Sequence, residues 1–428
     1  MEVKNKQGLI GEDVKVLPVG QLLKRIGPGL IATGIVVGPG AVTTASMLGA
    51  NYGYALIWLI LPIIFMGITF VMTSNWLAIT TGMPTIHAIR KYFGKVGAGI
   101  VGVALFLACL FFTMGNISGT GAGMNLIFGI DWKIGSAIMI VIVVLAYFAK
   151  NVYSKVEFLI TICIIVMIIA FYVTLVGVGG PNAKELGKGL VGFKIPKNSL
   201  ATALAFISTN AAITTGIYNT YLGKEKKWKR DDLFNGVMFT DSLVHVISVV
   251  LITGAIILVG AIVLFPEGKS IKAPAQLAGM LEPIMGNAAR YIMGFALVGA
   301  GFSSLLANTQ RGMVLLGAGI NKETGMESKF VRYGCLACLV FAMIICYSFN
   351  GSPTQLILLA NIATSIATPV AGLFVVLLIW RKDVNKGYKT PTALRICMTL
   401  SYIFVLVMTG FAFATSIIPN ISSLFGGA

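Results

Sequence analysis

The chain has 428 residues, 57% of them hydrophobic and only 11% charged, with a formal net charge of +17. Soluble domains carry about a quarter charged residues, so this composition excludes one. Apolar runs of about 20 residues, the length that crosses a bilayer, recur along the sequence. A lipid-exposed segment must satisfy its own backbone, so the expected fold class is all-α: a polytopic membrane protein of about eleven transmembrane helices. Strand-like alternation does not occur, which sets aside an outer-membrane barrel.

The N-terminal arm is mixed and polar (Glu2, Lys4, Lys6, Glu12, Asp13, Lys15) and has no signal-peptide pattern. Hydropathy then predicts spans near 22–48, 54–77, 97–126, 134–148, 156–176, 199–221, 234–265, 275–305, 328–349, 354–380 and 395–419. Counting helix-end residues with the adjoining connection, about three quarters of the 32 Lys and Arg fall on one set: the arm, 78–96, 149–155, 222–233, 306–327 and 381–394. This asymmetry predicts an integral protein of a bacterial inner (plasma) membrane, with the N-terminus cytoplasmic and the C-terminus outside. The basic excess is then a set of topology charges beside anionic lipid, and no nucleic-acid partner is expected. Glu157, Glu282 and Arg290 lie near span ends and read as interfacial anchors. The cysteines sit inside apolar spans and read as packing residues. The pair Cys335 and Cys338 has no His or acidic neighbour to complete a metal site.

Two spans are interrupted. Span one holds Gly38-Pro39-Gly40, where proline removes a backbone donor and the glycines ease unwinding. Span six holds a polar run, Ser208-Thr209-Asn210-Ala211-Ala212-Ile213-Thr214-Thr215-Gly216. Five spans separate the two breaks, and an odd offset inverts the second unit relative to the first. That is the layout of transporters in which paired broken helices meet at the midplane to hold a solute. The bland alternative is a proline kink and a polar helix contact. The division expected is 22–176 for a first repeat, 199–380 for an inverted second repeat and 395–419 for an extra helix.

Asp241 and His245 lie four residues apart on span seven and share a helix face. Intramembrane ionisable groups mark ion paths or paired structural sites, and this pair could carry a coupling proton. Phosphate-binding loops, catalytic triads and zinc motifs are missing, so neither an enzyme nor a cofactor is expected.

The stretch Gly27–Tyr54, GPGLIATGIVVGPGAVTTASMLGANYGY, resembles the first helix of the Nramp divalent-metal transporters. The resemblance continues at Leu77–Gly82, Gly123–Ile130, Gly294–Ser304 and Leu358–Pro369, in order along nearly the whole chain. It implies a LeuT-type fold of two inverted five-helix repeats plus one helix, working by alternating access.

The family's usual metal-binding motifs do not carry over. Where the resemblance implies Asp-Pro-Gly-Asn, this chain has Gly38-Pro39-Gly40-Ala41. Where it implies Met-Pro-His, it has Ile213-Thr214-Thr215, with Asn210 at the position of a backbone-carbonyl ligand. Acidic proton-route positions appear as Thr113 and Asn116, and a glutamine of the tenth helix as Asn361. In sodium-coupled members of the wider fold, Ser303 and Ser304 stand where hydroxyl ligands would be. The implied substrate site is thus Gly38, Gly40, Ala41, Asn210, Ile213, Thr214, Thr215 and Asn361. The coupling-ion candidates are Asp241, His245, Ser303, Ser304, Thr113 and Asn116, and no residue is assigned to a metal. The leading expectation is a secondary active transporter, by family a carrier of divalent cations, altered away from Mn²⁺ and Fe²⁺ toward hydrated Mg²⁺ or a non-metal. The alternatives are a carrier of a small neutral or zwitterionic solute such as an amino acid, and a non-transporting sensor-like homologue. Its partners would be the lipid bilayer and a small solute or cation, coupled to H⁺ or Na⁺. Nothing in the sequence sets an oligomeric state.

Overall fold

The computed structural model describes residues 14–25, 36–148, 150–225, 228–325, 327–384 and 390–414. These residues are nearly all helical and include no strand. A short helix α1 (Val19–Arg25) precedes the first interruption, and α2 (Pro39–Tyr52) follows it. A single 3₁₀ turn leads into α3 (Ile60–Thr81), and then come α4 (Thr85–Phe128), α5 (Trp132–Phe148) and α6 (Lys150–Gly177). The outer connection folds into a short helix, α7 (Ala183–Gly192), capped by the Asn182 side chain. The sixth span is two helices, α8 (Leu200–Asn210) and α9 (Ile213–Glu225), and the seventh is α10 (Val237–Val263). After the short α11 (Pro274–Gly279) and α12 (Glu282–Met285) come α13 (Ala289–Ile320), α14 (Lys329–Ser348), α15 (Pro353–Thr364), α16 (Ala367–Trp380) and α17 (Thr392–Ala412). Eight helical segments among the described residues are long and apolar enough to cross a bilayer, and Trp132–Phe148 and Ile164–Gly177 are shorter apolar helices.

Three boundaries differ from the hydropathy reading. The eighth span is not 275–305. Pro274, Pro283 and Gly286 break 274–288 into short turns, and the continuous helix runs Ala289–Ile320. The third helix begins at Thr85 and bends at Gly94, whose φ of 80° suits only glycine. The tenth span carries its own interruption at Ser365–Ile366, so that Pro369 falls in the first turn of α16, where a missing N–H costs nothing.

Helices α4 and α13 form the most extensively packed pair, and α15, α5 and α16 also lean on α4. Their axes can approach closely because Gly102 and Gly319 meet backbone to backbone; a Cβ on either would stand 2.7 Å or less from the other's Cα. Across the bundle, α2 packs on α10 and α8, while α9 packs on α3. At the end of the bundle that holds α1, Arg25 makes a bidentate ion pair with Asp232, its two nitrogens 2.6 and 2.9 Å from the carboxylate oxygens. Asp232 is buried and also accepts from the Lys229 backbone N–H and the Asn235 amide.

The same glycine economy seats the first break. Pro39 lies against Gly119 of α4 and Gly301 of α13; a Cβ on Gly119 would stand 2.1 Å from Pro39 Cβ. A proline ring at the first helical position cannot swing aside, so Gly119→Ala should cost about 2 kcal/mol or more by overpacking. Gly187→Ala, with open space around it, should stay within about 0.5 kcal/mol. Thermal unfolding of the two variants in detergent checks this, and an unchanged Gly119→Ala midpoint would refute the wedge.

Candidate functional site

Helix α2 starts at Pro39, which as the first helical residue needs no N–H partner. Before it the chain leaves helical geometry: Gly38 has φ −104° and ψ −176°, and its N–H turns back to the Val36 carbonyl. The unwound residues are therefore Val37 and Gly38, and Gly40 and Ala41 already belong to the first turn of α2. The sequence reading centres this break on Gly38-Pro39-Gly40, of which only Gly38 is unwound. In the sixth span α8 ends at Asn210, Ala211 and Ala212 are the gap, and Ile213, Thr214 and Thr215 open α9. Residues 26–35, the span-one segment before the first break, lie outside the described residues.

The implied substrate residues do converge around the first break. The position a side chain would take on Gly38 is filled from two helices: Ser304 Oγ lies 2.5 Å and Asn116 Oδ1 3.0 Å from it. The position beside Gly40 is filled by the Asn361 amide of α15, both of whose terminal atoms stand 2.8 Å away. Ala41, Asn210, Ile213, Thr214, Thr215, Asn116 and Asn361 are all buried. The centre is sealed and polar. Several of its atoms have no hydrogen-bond partner among the described residues: Asn116 Nδ2, Asn210 Oδ1 and both ends of the Asn361 amide. Unsatisfied buried amides are costly, so a cluster of them at the two breaks suits a polar solute that would pair with them.

The remaining candidates divide. Ser304 faces Gly38, whereas Ser303, the adjacent residue, is only half-buried. Thr113 bonds back to the Cys109 carbonyl. Ile213 reaches Gly372 of α16. Asp241 and His245 are buried near the start of α10, and neither lacks a partner. One turn beyond His245 on the same face, Val249 packs on Val36 and Val37, which lead into the first break. The Glu157 and Cys163 side chains lie outside the described residues. The other five cysteines are free, and Cys335 and Cys338 are buried in α14.

One residue of this centre was misread from sequence. Arg311 counted among the loop charges of 306–327, but it lies inside α13 and is 2% exposed. Its guanidinium donates to Thr215 Oγ1 of α9 at 3.3 Å and to Asn308 Oδ1 at 2.5 Å, and lies 5.4 Å from the centre of the Phe112 ring. Asn308 in turn donates to the Ser304 carbonyl. Ser304, Asn308 and Arg311 are spaced four and three residues apart, so they form one stripe of α13. That stripe touches Gly38 at one end and Thr215 at the other, and so joins the two breaks. The helical spacing was readable; a span boundary set at 305 hid it.

A cavity of about 670 Å³ opens at the end of the bundle that carries α1, lined by Asn75, Met83, His87, Thr220, Tyr221 and Lys229 among others. Thr220 is five residues beyond Thr215, about 7.5 Å along α9, so the cavity reaches toward the sealed centre.

The family model for natural resistance-associated macrophage protein-like (Nramp) proteins matches residues 29–415. The chain belongs to the Nramp family. A curated relative, the divalent metal cation transporter MntH of Listeria monocytogenes, is 24% identical over 407 residues, covering 91% of this chain and 89% of that one. Among solved structures, the manganese transporter of Eremococcus coleocola in complex with an aromatic bis-isothiourea compound superposes with a TM-score of 0.74 at 16% identity, over 97% of this chain and 92% of that one. MhsT in complex with L-phenylalanine superposes with a TM-score of 0.61 at 17% identity, over 89% and 98%. The fold is thus the LeuT-type membrane bundle expected from sequence.

Gly40 is the tightest test of the centre. Gly40→Val would drive a side chain into the Asn361 amide. It should weaken binding of any cargo held here at least tenfold, about 1.4 kcal/mol, with less effect on unfolding temperature. Titration of the cargo against both proteins measures it, and equal affinities would place the cargo elsewhere.

Proposed function

We propose that the protein is a secondary active transporter of the Nramp family whose cargo binds in the sealed polar centre between the two breaks, and that this cargo is not Mn²⁺ or Fe²⁺. The observation that carries the reading is the filling of the Gly38 position by a serine hydroxyl and an asparagine oxygen. A dehydrated divalent cation needs compensating charge or several hard oxygen ligands, and selectivity for softer metals needs sulfur or imidazole. Gly38, Ala41 and Ile213 supply none of these from their side chains. Among the described residues, no group of three His, Cys, Asp or Glu could hold a metal ion. A hydrated divalent cation keeps support from the relationship to a protein named as a divalent metal cation transporter. Held through its water shell, such an ion would rest on Asn210, Asn361, Thr214 and Thr215.

The breaks lie five spans apart in a fold shared with known transporters, which supports two inverted repeats at 22–176 and 199–380. The charge asymmetry supports a cytoplasmic N-terminus, and the cavity beneath the centre would then be the inner vestibule. Burial of Asp241 and His245 on the helix whose Val249 packs on Val36 and Val37 supports a coupling role for the pair.

Isothermal titration with Mn²⁺ should give no micromolar binding. Restoring the family's ligands with Gly38→Asp, Ala41→Asn and Ile213→Met should create Mn²⁺ affinity only when Ser304→Ala also clears the space that the aspartate needs. Micromolar Mn²⁺ binding by the unaltered protein would overturn the reading. For coupling, Asp241→Asn should abolish uptake driven by a pH gradient in proteoliposomes while leaving cargo affinity unchanged, and undiminished uptake would return the pair to a structural role.

A further inference from the structure

We propose that Arg311 is the anion-binding residue of the central site, and that the cargo is a small solute bearing a carboxylate that becomes the counter-ion of this guanidinium. The inference rests on the reading that cargo binds between the two breaks, and it names the class of that cargo.

A guanidinium is charged at every accessible pH. Arg311 is nine residues from the end of α13, about 13 Å along the axis, and 2% exposed, so it does not reach the interface as a snorkelling arginine would. A charge at that depth is expensive unless something of opposite sign meets it. What meets it here is neutral. Thr215 Oγ1 and Asn308 Oδ1 each take one N–H, the buried Cys109 thiol and the Phe112 ring lie beside the group, and Nε has no partner. Among the described residues no carboxylate pairs with it. Oxygen dipoles satisfy individual donors without cancelling the charge, so the site lacks one unit of negative charge.

The surroundings reinforce the sign. Thr215 is the third residue of α9, so the guanidinium sits at a helix N-terminus that is itself partly positive. The first turn of α2 adds a second N-terminus at Gly38. Two helix ends and a fixed cation repel a divalent ion and attract a carboxylate, whose paired oxygens match the guanidinium fork. The other unpartnered atoms suit the rest of such a molecule. Asn210 Oδ1 and Asn361 Oδ1 can accept from an ammonium or hydroxyl, and Asn116 Nδ2 can donate to a polar group at the Gly38 end of the stripe, about 10 Å from Arg311. A zwitterion would satisfy both ends of the site. The competing role for Arg311 is purely mechanical, as a tie between α13, α9 and α4.

The experiment uses the full-length protein in detergent, with thermal shift and titration calorimetry. The probes are L-alanine and L-phenylalanine, acetate and lactate, the amines that match the two amino acids but lack the carboxylate, and the chlorides of Mg²⁺ and Mn²⁺. At least one carboxylate should bind, and its matching amine should bind at least tenfold more weakly. Amino acids binding while acetate and lactate do not would specify a zwitterion; the reverse would specify a simple carboxylate. Arg311→Gln should reduce carboxylate affinity about 30-fold or more, as loss of a buried charge partner does, and Arg311→Lys should recover part of it. Should Arg311→Gln fail to fold, the comparison of acids with amines on the unaltered protein still decides. Equal binding of acid and amine, Arg311→Gln within about threefold of the parent, or Mg²⁺ binding with every carboxylate inert up to about 10 mM would each overturn the inference. Gly40→Val separates the two levels. Affinity lost in Gly40→Val but kept in Arg311→Gln defeats the arginine's role alone, whereas affinity kept in Gly40→Val defeats the central site itself.

Discussion

In the hydrocarbon interior an amide with no partner costs several kcal/mol, so a helix can be interrupted there only where neighbouring protein encloses the gap. Pro39 is the point at which this chain meets that demand. Its ring starts α2 without needing a donor partner, and it can sit at the gap only because Gly119 and Gly301 leave room on the two most closely packed helices. With the proline fixed, Gly38 is held extended against Ser304 and Asn116, and Gly40 against Asn361. The close contact of α4 with α13, through Gly102 and Gly319, keeps those supporting residues in register.

The site built on this scaffold differs in kind from one that strips water from a metal. Its residues are amides and hydroxyls fixed by the backbone. Asn210 donates to the Phe206 carbonyl, Thr44 caps the Gly40 carbonyl and Asn308 donates to the Ser304 carbonyl, so the polar atoms left over point in set directions. The formal charge at the centre comes from Arg311, and it is positive. Family membership accounts for the backbone, while under the proposed reading the chemistry of the cargo would follow from a handful of side chains at the two breaks.

Class, most of the spans and the paired breaks were legible in the sequence because each rests on a strong local signal: long apolar runs, a Gly-Pro-Gly in one span and a polar run in another. What was lost were features that depend on helical phase. Hydropathy averages over a window, so the polar stripe of α13 pulled its end back to 305 and turned Arg311 into a loop charge. The break at Ser365–Ile366 passed unnoticed for the same reason, although Pro369 needs a helix start within the preceding turn. The first break lies a residue or two earlier than Gly38-Pro39-Gly40 suggests, since proline at the start of a helix and proline within one read alike until the residues before it are placed. That Ser304 faces Gly38 while Ser303 turns away is a matter of 100° of rotation, which no composition reports.

The bidentate pair between Arg25 and Asp232 has a consequence for time as well as for shape. It ties α1, about a dozen residues ahead of the first break, to the turn that leads into α10, and its carboxylate is buried with the Asn235 amide already committed to it. Any motion that swings α1 clear must leave that carboxylate short of its charge partner, at about 1–2 kcal/mol for a pair whose arginine is 39% exposed. Every 1.4 kcal/mol in a barrier is a factor of ten in rate. A single contact at the rim of the bundle would therefore lengthen the dwell of the sealed form about tenfold, setting the pace of opening while taking no part in choosing what is carried.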